Sequence, residues 1–215
     1  MNIEKKYIEN LFIVGILGGV AAGKSTVSQL LHKKGAYIIQ ADEIGHTVLD
    51  MPFVQQELIS LWGDDILIDG KLDRKKLSQI VFVGGKESLE KLESITHPQI
   101  KKIMEQKLSK IPSQSIVIFD VALLWEVGMD AICQTLLFIE TPIHLREQRS
   151  EENRGWKKEE VTRREKKQKS LEEKRDKAQY IIHNNGNIEQ LETQTQEYWK
   201  FLQKEKSSYF QKEKK

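Results

Sequence analysis

The 215-residue chain can bury a proper hydrophobic core and sits near the upper end for one compact domain, so one core carrying inserted segments is expected. Its charged fraction of 31% leaves a net charge of only +2; both signs are interspersed, which excludes the basic stripe of a nucleic-acid binder. Cys133, the only cysteine, lies in the apolar stretch 131–139 and reads as a small buried hydrophobe, so a disulfide framework and a cysteine-based metal site are both excluded.

In chain order, the first apolar run, LFIVGIL at 11–17, reads as a strand buried on both faces. It is too short to span a bilayer, and no signal-peptide cleavage pattern follows, so a cytoplasmic protein without a membrane partner is expected. The run leads into Gly18, Gly19, Val20, Ala21, Ala22, Gly23, Lys24 and Ser25, which fit G-x-x-x-x-G-K-[ST] and open a helical pattern. Glycine lets backbone wrap closely around phosphate oxygens, and the amides at the following helix start point at the anion with the helix dipole behind them. In this motif Lys24 reaches the β- and γ-phosphates and Ser25 ligates Mg²⁺. An ordinary glycine turn before a helix would leave Lys24 and Ser25 without a reason.

The second candidate strand, GAYIIQ at 35–40, is followed by Asp42, at the carboxyl edge where open α/β sheets place their ligands. Two readings of Asp42 stand side by side: it takes or orients the proton of an acceptor hydroxyl, or it caps a helix. From about 42 to 113 come several helices and a turn at Asp69-Gly70, a region expected to be an inserted acceptor-binding segment. Its clearest helix face is Ile100, Ile103, Met104, Leu108 and Ile111. Candidate strands three, four and five are 115–121, 135–140 and 178–183; strands alternating with helices imply a parallel sheet covered on both sides. Residues 146–177 hold 13 Lys/Arg against 9 Asp/Glu in a strand-free helical stretch, either a mobile basic lid or a solvated helical face. After Leu202 the tail has little to bury and is expected to fray. The expected organisation is therefore a core of 11–41, 114–142 and 178–202, an insertion at about 42–113, a lid at about 143–177 and a tail at 203–215.

A phosphate loop alone means nucleotide. A GTPase would show N-K-x-D, which is absent, and the D-x-x-G match from Asp42 to Gly45 follows the loop too soon. A short chain with a basic helical stretch between its last two strands fits an ATP-dependent kinase of a small-molecule alcohol, in which lid arginines close over the phosphates and exclude water. A nucleoside monophosphate or shikimate-type kinase, and a nucleotide-gated regulator without turnover, are the rival readings.

Several segments together resemble the dephospho-coenzyme A kinase family over roughly residues 11 to 200. They are GGVAAGKST from Gly18 to Thr26, QAD at 40–42, GKLDRKKLSQIVF at 70–82, ITHP at 95–98, DVALLWE at 120–126 and LEEKRDKAQYIIHNNG at 171–186. The resemblance implies a P-loop NTPase fold with a five-stranded parallel sheet, ATP and dephospho-coenzyme A as substrates, and Mg²⁺ as cofactor. It implies that Gly18 to Thr26 hold ATP and that Asp42 is the base. Arg74 and His97 would contact the acceptor's phosphates or pantetheine arm, although Pro98 offers a helix break as the plainer account of His97. Asp120 would hold Mg²⁺ beside Ser25, while Glu126 reads equally as a turn residue. Asn184, Asn185 and Gly186 would bring a loop against the adenine, or simply form a turn before the next helix.

The chain departs from the family pattern at Leu17, where threonine is usual, at Gln40, where aspartate is usual, and at Ala122, where proline is usual. Arg149, nine residues beyond Glu140, matches the first lid arginine, but Asn153 and Arg154 stand where an Arg-Asp pair is usual. A continuous helix would turn Arg154 away by about 100°. Gly155 can end that helix and re-aim Arg154, so Arg149 and Arg154 are both expected to act catalytically with Lys24 and Asp42, Arg163 and Arg164 being the next candidates.

Overall fold

The computed structural model describes residues 3–212. Five parallel strands form the main sheet: β1 (Phe12–Gly18), β2 (Tyr37–Gln40), β5 (Ile116–Asp120), β6 (Thr135–Glu140) and β7 (Tyr180–His183), in the spatial order β2-β5-β1-β6-β7. β1 is central and buried at every residue, which is why its sequence is an unbroken apolar run, whereas the edge strands β2 and β7 are only partly covered. Leu17 is one of the buried β1 side chains, so the residue that departs from the family pattern packs as core. A smaller pair, β3 (Leu67–Ile68) with β4 (Lys71–Leu72), is antiparallel around Asp69 and Gly70, both at positive φ, in agreement with the expected turn.

One sheet face carries Phe12, Val14, Ile16, Ile116, Ile118, Leu137 and Ile139 at the two-residue spacing a strand requires. It packs on α1 (Lys24–Lys33) and α9 (Ile188–Lys212), which supply Val27, Leu31, Leu191, Tyr198 and Leu202. The other face meets Leu124 and Cys133 beside Gly15, and α8 (Leu171–Lys177) against β1 and β6. Cys133 is half-buried, not fully buried as expected; burial nevertheless pushes its thiol up to about 12, the Asp130 charge adding to it.

The contacts divide the described residues into two compact units, 41–107, and 3–40 with 108–212. The first contains α2 (Ala41–Leu49), α3 (Pro52–Trp62), β3, β4, α4 (Arg74–Val83) and nearly all of α5 (Gly85–Leu108). Asp73 caps α4 by accepting from the Lys76 amide at 2.7 Å. Pro98 does not break a helix: α5 runs through His97 and Pro98 to Leu108, and Ile111 lies beyond its end. A proline costs one backbone hydrogen bond but need not stop a helix of this length.

In the larger unit, β6 is followed by α6 (Ile143–Arg154), α7 (Lys158–Glu165) and α8, which opens on a reciprocal Ser170 and Glu173 capping box. The stretch after Leu202, expected to fray, continues α9 as helix to Lys212, with Tyr209 and Phe210 packed against the core. Tyr209 stands seven residues beyond Leu202 and so falls on the buried stripe of Leu191, Thr195, Tyr198 and Leu202. Charge in the tail hid that stripe.

Candidate active site

The loop from Gly18 to Gly23 leaves the carboxyl end of the central strand and enters α1, whose first helical residue is Lys24. Gly23, just before the helix, has φ 91, and a methyl group there would collide with the Asn184 side-chain amide. Ala21, at φ 57, takes the left-handed conformation that costs a residue with a side chain of order 1 kcal/mol, a strain the surrounding loop must hold. The Lys24 ammonium donates to the Gly18 and Gly19 carbonyls at 3.0 and 2.9 Å, which keeps it across the loop. Ser25 and Thr26 follow in the first turn of α1.

Three elements fasten onto this loop. The buried Asn184, just after β7, donates to the Ala22 carbonyl at 2.8 Å, and Thr141 Oγ1, after β6, donates to the same oxygen at 2.9 Å. From α6, Arg149 donates to the Asn184 carbonyl at 3.2 Å and to its side-chain oxygen at 3.4 Å. Its Nη1 lies 3.9 Å from where a Gly23 methyl would sit, buried and without a hydrogen-bond partner among the described residues. A buried guanidinium N–H with an open valence beside a phosphate loop is chemically suited to a phosphoryl oxygen.

Arg146, one helical turn before Arg149, was not singled out in the sequence. It is 5% exposed, donates from Nε to the Thr141 carbonyl at 2.9 Å and pairs through Nη1 with Glu165 at the end of α7. The same Glu165 Oε1 accepts from the Val20 amide at 2.8 Å. The i,i+3 spacing to Arg149 was the one available signal for Arg146, since it puts both arginines on one face of α6. Nothing local marks Glu165 among the lid's many charges.

The other candidate arginines of α6 and α7 lie elsewhere. α6 ends at Arg154 with Gly155 at φ 63, its amide bonding to Glu151 and the Trp156 amide to Ser150, so the expected glycine helix end is present. Yet the exposed Arg154 is stacked over the Trp156 ring at 4.7 Å and is not among the residues fastened to the loop. Arg164 covers the same ring at 4.0 Å. Arg163 and Arg164 both grip Glu160, whose carboxyl they hold down at about 2, Arg163 contributing most.

Asp120 closes β5, next to β1, and its buried Oδ2 has no hydrogen-bond partner among the described residues. A carboxylate oxygen left open at the sheet's carboxyl edge is suited to Mg²⁺ or its water shell. No cluster of three or more His, Cys, Asp or Glu that could hold a metal occurs among the described residues. Glu126 is more than a turn residue: its Oε1 pairs with Lys174 at 2.7 Å and accepts from the Lys169 amide at 3.0 Å, tying 121–128 to α8. The turn at Ala122 closes without proline through the Leu124 amide on the Val121 carbonyl at 3.2 Å. Asn185 and Gly186 are exposed and lead into α9, where Asn187 and Gln190 cap each other.

In the smaller unit, Asp42 is exposed in the first turn of α2, inside the helix and not at its cap position. Arg74, the first residue of α4, makes a two-oxygen pair with Asp50 at 2.9 and 3.1 Å. His97 is half-buried in mid-α5.

A parallel sheet in this order, with a G-x-x-x-x-G-K-S loop off its central strand and helix-borne arginines over that loop, defines a P-loop kinase fold. The dephospho-CoA kinase family profile matches residues 12–190, most of the chain, and the chain belongs to that family. A dephospho-CoA kinase of Fusobacterium nucleatum is 40% identical over 187 residues, covering 85% of this chain and 94% of the relative. One of Thermobifida fusca is 34% identical over 194 residues, covering 89% and 96%. Among solved structures, TT1252 from Thermus thermophilus superposes with a TM-score of 0.76 at 31% identity, covering 84% of this chain and 92% of the other. A dephospho-CoA kinase from Campylobacter jejuni superposes at 0.60 and 25% identity, covering 90% and 98%.

Proposed function

We propose that this chain transfers the γ-phosphoryl group of ATP to the ribose 3′-hydroxyl of dephospho-coenzyme A, yielding ADP and coenzyme A. The observation that carries the reading is the phosphate loop with the buried, open-valence Arg149 guanidinium fastened beside it, in a chain of this family. The loop amides and Lys24 bind the phosphates, and Arg149 supplies positive charge where negative charge moves onto the bridging oxygen. Asp42 accepts the acceptor hydroxyl's proton, a role supported by its place two residues beyond β2, and Arg74 and His97 bind the acceptor. Asn185 and Gly186 border the adenine. Ser25 and Asp120 are the residues that would hold Mg²⁺, which would supply charge neutralisation on the phosphates. No helix among the described residues is long and apolar enough to cross a membrane. The reading places the enzyme in the cytoplasm, where its co-substrate ATP is supplied.

A coupled ADP-release assay tests this directly. ADP should appear only when dephospho-coenzyme A is present, and turnover per unit affinity should exceed that with AMP, adenosine or shikimate by about 10³-fold or more. Comparable activity on AMP would point to a nucleotide kinase, and ATP binding without acceptor-dependent ADP would point to a nucleotide-gated regulator.

A further inference from the structure

The backbone amide of Val20 is one of the donors that a phosphate loop offers to an anion. Glu165 Oε1 takes that amide at 2.8 Å, and the same carboxylate holds Arg146, so the loop's anion-binding face is in contact with a charged group of the chain itself. The fit is close. A methyl group at Gly19 would stand 2.6 Å from both Glu165 Oε1 and Arg146 Nη1, so the room that glycine leaves is filled by this ion pair. Both partners are largely covered, with 6% of the Arg146 side chain and 17% of the Glu165 side chain exposed. Arg146 is anchored independently through its Nε on Thr141, and Thr141 in turn holds the loop at Ala22. Glu165, by contrast, arrives from the last turn of α7 and takes the loop through its carboxylate.

We infer that Glu165 is an internal competitor for the phosphate site: its carboxylate holds the Val20 amide and Arg146 against the nucleotide and must leave for the triphosphate to bind. The inference rests on the reading of Gly18 to Ser25 as the ATP site. The physical reason is charge. A carboxylate and a phosphoryl oxygen both need the same donors, hydrogen bonds to a charged acceptor are about twice as strong as neutral ones, and the two anions repel each other in a partly desolvated site. Binding of ATP is thereby coupled to withdrawal of the end of α7. The apparent affinity is lowered by the fraction of molecules in which Glu165 holds the loop. Release of Glu165 also frees the Arg146 Nη1 for a phosphate oxygen, so one movement removes a competitor and exposes a donor.

The test is the affinity of the full-length protein for MgATP, measured by titration calorimetry for wild type, Glu165→Gln, Glu165→Ala, Lys24→Ala and Glu151→Gln. Glu165→Gln keeps size and acceptor but loses charge, and it should tighten binding by about 5-fold or more; Glu165→Ala should tighten it further, to about 10-fold or more. Glu151→Gln removes an exposed charge of α6 and should stay within about 2-fold of wild type, which separates local competition from a general gain in positive charge. Thermal unfolding of each variant without nucleotide shows whether it is folded. If both Glu165 variants are folded and bind MgATP equally or more weakly than wild type, while Lys24→Ala loses binding, Glu165 is a support for Arg146 and the inference falls. If Lys24→Ala binds as wild type does, the phosphate-loop reading fails first, and the inference goes with it.

Discussion

Arg149 and Arg154 lie on one helix, carry one chemistry and occupy opposite environments. Arg149 is fixed by Asn184 beside the loop with a buried N–H left open, and Arg154 sits on Trp156 at the exposed helix end. Transition-state charge is stabilised by donors already in place, so the first should matter far more than the second. Arg149→Ala is expected to lower kcat with saturating ATP and dephospho-coenzyme A by about 10²-fold or more, and Arg154→Ala by less than about 5-fold. Equal losses in the two variants would mean that the lid re-aims Arg154 during turnover. The register of Arg149 was legible because its distance from the fourth strand is a local, countable property. The competing helix argument about Arg154 was also legible, but which way the side chain leaves the cap at Gly155 depends on Trp156, whose ring offers it a stacking partner.

At the scale of elements, α8 is tied to the segment 121–128 by a buried ion pair more than by the many surface charges of α6 to α8. Lys174 of α8 has 2% of its side chain exposed and meets Glu126 at 2.7 Å and Gln168 at 2.9 Å. The pairs that Glu160 makes with Arg163 and Arg164 are exposed, and pairs of that kind contribute little. Removing one member of a buried pair leaves a charge without compensation. Glu126→Ala should therefore destabilise the fold by about 3–5 kcal/mol in chemical denaturation, while the double variant Glu126→Leu with Lys174→Met should recover most of that loss. A single-variant effect below about 1 kcal/mol would show that Lys174 finds water instead. In the sequence Glu126 looked like the end of a turn, because its partner stands 48 positions away, on a helix that also carries Arg175 and Lys177.

For the molecule as a whole, the larger unit is closed by the last helix. Tyr198 is fully buried and packs on Tyr180 and Phe201 with ring centroids 4.7 and 5.8 Å away; Tyr209 then reaches back to Phe12 at the start of β1, 5.8 Å between centroids. The C-terminal turns thereby cover the entrance of the central strand. Truncating both Tyr209 and Phe210 to alanine should cost about 2–4 kcal/mol, seen as a lower thermal midpoint, while Gln211→Ala should change stability by no more than about 0.5 kcal/mol. No change in the double variant would return the tail to the frayed state expected from its composition. The smaller unit, 41–107, is mostly helical while the larger unit holds the five parallel strands, and the switch from strand-forming apolar runs to amphipathic helices is written in residue order.

The sequence by itself determined the five parallel strands and the loop from Gly18 to Ser25. Each follows from spacing along the chain, and spacing fixes which face a residue takes within its own element. Only the tertiary structure decided that Arg146 and Glu165 meet the loop, that Glu126 holds Lys174, that α5 passes through Pro98 and that Tyr209 and Phe210 have something to bury against. The Val20 and Glu165 partners are 145 positions apart, and the stretch 146–177, with 13 Lys/Arg and 9 Asp/Glu, offers many pairings of similar local merit. Which pairing forms is set by the face each helix turns inward, because only there does removal from water make one charge depend strongly on another.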